Sequence, residues 1–71
     1  MLQIIEILLY LQLIGTNGPT PTATQINQLS IDNQNVIQTI QTNNDLMQQV
    51  DQQYHDAAQG IERIDYDEGI K

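Results

Sequence analysis

From residue 26 onward apolar side chains return after three and then four positions for nearly six heptads, and that spacing commits the chain to helices burying one stripe. With position a at residue 26, the a sites are Ile26, Asn33, Ile40, Met47, Tyr54 and Ile61. The d sites are Leu29, Val36, Asn43, Val50, Ala57 and Ile64. Ten of these twelve are apolar or aromatic, so Asn33 and Asn43 are the two places where the stripe turns polar. A sustained seven-residue repeat predicts left-handed supercoiling of two or more helices. The fold class expected is therefore all-α, with one long helix in a parallel coiled-coil bundle. Running from residue 22 to about 66, that helix would be roughly 67 Å long.

Its start is marked by Pro21, then Thr22 and Gln25 at the spacing of a capping box, in which side chain and backbone satisfy each other's free N–H groups. Gly69 is the expected stop, and the acidic run at 65–68 should fray against the negative end of the helix dipole. Ile37 at e and Leu46 at g widen the stripe beyond a and d, which favours three or more helices, or an extra partner lying against the flank. The e and g sites offer no opposite-charge pairs, so alignment falls to the buried amides. Asn33 and Asn43 are expected to act as polar register layers, because a slipped neighbour would set an amide against Ile or Val. The competing expectation is that the stripe simply loosens at both.

The run "IQTN" at 40–43, with Ile40 at a and Asn43 at d, resembles the polar layers in trimeric coiled-coil stalks of viral fibres, tail needles and trimeric autotransporter adhesins. Asn44 stands where those stalks commonly carry Thr. The resemblance implies a parallel trimer and an anion held on the axis at the Asn43 layer. No other cofactor is expected.

Residues 1–14 hold 11 apolar side chains, broken only by Gln3, Glu6 and Gln12, and residues 15–21 form a Pro/Gly linker. As a helix the first segment reaches about 21 Å, short of a bilayer's hydrocarbon core at about 30 Å. Its flanks are not those of a secretory signal. Three fates are open to it: burial against protein, insertion or anchoring in a membrane, or addition as a strand to a partner's sheet. Ile4, Ile5, Leu8, Leu9 and Leu11 would make the docking contact. Folded back, the segment should cover at most about a third of the stripe. A chain of 71 residues without cysteine has no other staple, so self-association is expected.

Charge removes one class of partner. Two basic residues face nine acidic ones, for a formal net charge of −7, whereas nucleic-acid binding needs clustered Lys and Arg. Asp51 and His55, four apart on a helix, could share a metal, yet Asp56 is the one further ligand in reach along the helix, so they read as a solvated pair and no metal is expected. No nucleophile–base set or phosphate loop is present, and a rod offers no pocket, so no enzyme is expected. Gln and Asn together supply 18 residues and Lys one, a surface more typical of assembled appendages than of cytosolic helical proteins. The functional expectation is a structural protein: a minor virion or fibre-like component in a virion or extracellular assembly, docking through its N-terminus. The alternative is a membrane-associated coiled-coil tether.

Overall fold

The structure is a computed structural model that describes residues 2–15 and 20–70, with side chains up to residue 62. All regular structure among the described residues is helical: α1 (Leu2–Tyr10), α2 (Ala23–Asp32), α3 (Gln34–Thr42) and α4 (Asn44–Ile70). The fold is all-α.

Helix α1 ends before the glycines of the linker. Gln12 adopts φ 63°, the left-handed conformation that closes a helix. Its N–H donates to the Leu9 carbonyl and that of Leu13 to the Leu8 carbonyl, both at 3.0 Å, the two bonds of a Schellman motif. Helix α2 opens on the expected capping box. The Gln25 N–H donates to Thr22 Oγ1 at 3.1 Å, and the Thr22 N–H donates to Gln25 Oε1 at 2.9 Å.

The single helix expected over 22–66 is instead three, and the two asparagines of the stripe are where it divides. At Asn33 the backbone leaves helical dihedrals (φ −117°, ψ 22°) but keeps its own two ladder bonds: the Asn33 N–H reaches the Leu29 carbonyl at 3.0 Å, and the Ile37 N–H reaches the Asn33 carbonyl at 3.0 Å. Asn33 Nδ2 also donates to the Leu29 carbonyl, at 2.8 Å. A short amide competing for backbone partners is what disfavours Asn inside a helix. At Asn43 the interruption is complete. Its backbone is extended (φ −98°, ψ 98°), and its Oδ1 accepts the Leu46 N–H at 3.2 Å, serving as a cap that starts α4.

Because the chain turns at Asn43, it folds on itself. The described residues span 37 × 24 × 21 Å, where a rod of about 67 Å was expected. Helix α1 packs chiefly along α4 and also touches α2 and α3. Five consecutive α1 residues, Ile5 to Leu9, are buried, the pattern of a helix enclosed on all sides. Around it lie Ile26, Ile37, Ile40, Met47, Val50, Ala58 and Ile61. The estimate that a folded-back N-terminus could cover only a third of the stripe assumed a straight partner helix. A stripe bent at Asn43 wraps the segment from several sides.

Candidate functional site

The seam residues of the sequence reading fall into three groups. Ile26, Ile40, Met47, Val50 and Ile61 are buried, and Leu29 and Tyr54 are half-buried against the core. Val36 is exposed at 39%, and the side chain of Ile64 lies outside the described residues. Of the N-terminal docking set, Ile5, Leu8 and Leu9 are buried in this chain's own core, with Ile4 and Leu11 packed at its edge. Asn33 is half-buried and Asn43 exposed. Tyr10 meets Tyr54 edge-on, ring centroids 6.5 Å apart, and Gln41 Nε2 donates to Gln3 Oε1 at 2.8 Å, so α1 is tied to α4 and α3 by polar and aromatic contacts as well.

One titratable cluster stands out, and the sequence reading assembled only two-thirds of it. Asp51 and His55 lie one turn apart on α4, with His55 Nδ1 3.5 Å from Asp51 Oδ1. The fold-back of α1 adds Glu6, whose Oε2 is 3.2 Å from the same His55 nitrogen. The expectation that this pair lacks a further ligand group beyond Asp56 is thus corrected. On a helix drawn in isolation Glu6 is merely an interruption in an apolar run, and nothing in the local spacing joins it to α4. The available signal was its place between Ile5 and Ile7: a carboxylate in a segment that must be buried needs a partner.

The three environments differ. Glu6 is 1% exposed, whereas Asp51 and His55 stand partly in solvent. Burial pushes the Glu6 carboxyl above its ordinary range, and the neighbouring Asp51 pushes the same way, against the pull of His55. The hydrogen bond with Glu6 raises His55 in turn, more than its own partial desolvation lowers it. His55 is the one basic side chain among those described, which end at residue 62, short of the side chains of Arg63 and Lys71. An ionised Glu6 can therefore be compensated there by a protonated His55 or by an ion brought in from solvent. An open depression of about 530 Å³, lined by Leu2, Gln3, Glu6, Asn44, Met47 and Asp51 among others, leads to the two carboxylates.

A second depression of about 520 Å³ lies at the far end of α1, between Leu13, Ile14, Pro21 and Leu29. It holds no titratable group. No helix among the described residues is long and apolar enough to cross a membrane. No protein-family model, curated protein or solved structure matches the chain.

Proposed function

We propose that the chain is a non-enzymatic structural protein that enters an assembly by associating with further copies of itself. The observation that carries this reading is the stretch of the heptad stripe that the single-chain core covers only in part. Leu29, packed at the edge of that core, Asn33 and Val36 follow one another along one face of α2 and α3, the first two half-buried and Val36 exposed at 39%. A second copy is the natural occupant because Leu29 and Val36 continue the same spacing that the chain buries elsewhere, and two such faces can pair with each other across a two-fold axis. The expectation of three chains rests on the Asn resemblance alone, since Ile37 and Leu46 are used inside the single chain.

The amide-rich, Lys-poor surface supports a virion or other extracellular assembly as the setting. The membrane-tether reading has less support, because Ile5, Ile7 and Leu8 would have to leave the core before they could enter a bilayer. Against catalysis stands the absence, among the described contacts of His55, of any hydroxyl or thiol it could activate; its described partners are two carboxylates.

Sedimentation equilibrium of the full chain tests the proposal. Association at tens of micromolar, abolished by Val36→Asp in a chain that keeps its helical circular dichroism, is the expected result. A wild-type monomer at those concentrations sinks it.

A further inference from the structure

We propose that Glu6, Asp51 and His55 form a binding site for one divalent first-row transition-metal ion, which clasps α1 to α4. The donor atoms come from two helices brought together by the fold and all lie within 4.8 Å of one another. Two of the separations, 3.2 Å from His55 Nδ1 to Glu6 Oε2 and 3.5 Å from His55 Nδ1 to Asp51 Oδ1, carry the geometric argument. Ligands at about 2.0–2.2 Å from a tetrahedral ion stand about 3.3–3.6 Å from each other, so both pairs are already spaced close to the edges of such a polyhedron.

Charge points the same way. Two carboxylates and a neutral imidazole present two negative charges, and Glu6 carries its share at 1% exposure with no Lys or Arg among the side chains described, those up to residue 62. A buried carboxylate in that position favours any cation that can reach it. The depression bordered by Glu6 and Asp51 supplies a route from solvent and room for a water as a fourth ligand. The donor set selects the class of ion. One imidazole nitrogen with two carboxylate oxygens suits Zn²⁺, Co²⁺ or Mn²⁺; Mg²⁺ and Ca²⁺ prefer all-oxygen shells, and without thiolate or thioether donors Cu⁺ is not favoured.

The test uses the full chain, titrated calorimetrically with Zn²⁺ in a non-coordinating buffer, with Co²⁺ added separately to read coordination from its visible absorption. The expected result is one ion per chain, a thermal midpoint that rises with Zn²⁺ and returns with EDTA, and a tetrahedral-type Co²⁺ spectrum. His55→Ala and Asp51→Asn change partly exposed side chains and should leave the helical signal intact. Each is expected to weaken Zn²⁺ binding at least about tenfold, the scale seen even for groups one shell further out. Glu6→Gln should do the same; if it fails to fold, the other two variants decide. The proposal is overturned if wild type takes up Zn²⁺ no more tightly than about 1 mM. It is equally overturned if affinity survives in both variants, or is lost instead when the acidic run Asp65, Asp67 and Glu68 is neutralised.

Discussion

Removing α1 should unfold the rest of the chain. The structure gives the size of the effect: Ile5, Ile7, Leu8 and Leu9 are all between 0% and 5% exposed. At about 1.5–3 kcal/mol for each fully buried aliphatic side chain, these four contribute roughly 6–12 kcal/mol, an upper range because unfolded chains are themselves partly collapsed. A domain of this length has a net stability of only about 4–10 kcal/mol. The loss also strips cover from Ile26, Ile40 and Val50, which pack in the same cluster. A chain beginning at residue 16 is therefore expected to be a largely unfolded monomer by circular dichroism and sedimentation equilibrium. The graded form of the same perturbation is Leu8→Ala in the full chain, expected to cost about 2–5 kcal/mol and lower the thermal midpoint by at least about 8 °C. The reasoning is refuted if residues 16–71 alone form a stable helical oligomer. That outcome would mean the stripe finds its partners in other copies and that α1 is dispensable to it.

Three further outcomes follow from particular residues. Asn43→Ile, which fills the stripe with an apolar residue, should lower stability by about 1 kcal/mol in urea unfolding because the side-chain cap on the Leu46 N–H is lost; a higher midpoint would return Asn43 to a buried seam. Gly60→Ala should stabilise by about 0.5–1 kcal/mol, since Gly60 lies inside α4 and an added Cβ meets nothing within 4 Å; a thermal melt that is unchanged or lower counts against a continuous α4 there. With EDTA present, stability should fall as pH rises from about 5 to 8. Both Glu6 and His55 have folded-state values raised above their ordinary 4.5 and 6.5, so each contributes fully below its unfolded value and loses that contribution as pH climbs through the raised one. Glu6→Gln should remove most of this slope, because Glu6 is also the main cause of the raised His55, whereas His55→Ala should remove only the part due to the imidazole; thermal melts that stay level or improve toward pH 8 would contradict the assignment.

Helix content was legible in the sequence because periodicity alone decides it, and the capping box at Thr22 was legible because its two partners are three residues apart. Chain topology was not, for a physical reason carried by Ile37 and Ala58. Both stand at e positions and both are buried, so the apolar face is the broad one of a globular helix and not the narrow a/d seam of a coiled coil. The widening at Ile37 is visible in the sequence, but it does not say whether the extra partner is another copy or the chain's own α1. The asparagines carried the missing information, but a buried Asn in a rod and a capping Asn at a turn look alike in one dimension. What separates them is whether an alternative burial partner exists nearby in the chain, and here residues 2–10 provide one.

The Glu6–Asp51–His55 cluster was hidden by the same fact that hid the topology. Its members are 45 and 49 positions from Glu6, and no local spacing rule reaches that far. Once α1 is central, however, a carboxylate at residue 6 cannot be neutral in its consequences: it must be protonated, paired with a protonated His55, or bound to an ion. Each of those states depends on α1 lying against α4, so each is linked to folding. An ion or a proton that favours the cluster stabilises the closed bundle by the free energy of its own binding. Conversely, whatever draws α1 out of the core destroys the cluster. If the face at Leu29 and Val36 binds a second copy of a closed bundle, then occupancy of a site on α1 and α4 raises the population competent to assemble. Zn²⁺ should then strengthen self-association of the wild type without contacting the interface, and should leave the association of a folded His55→Ala chain unchanged.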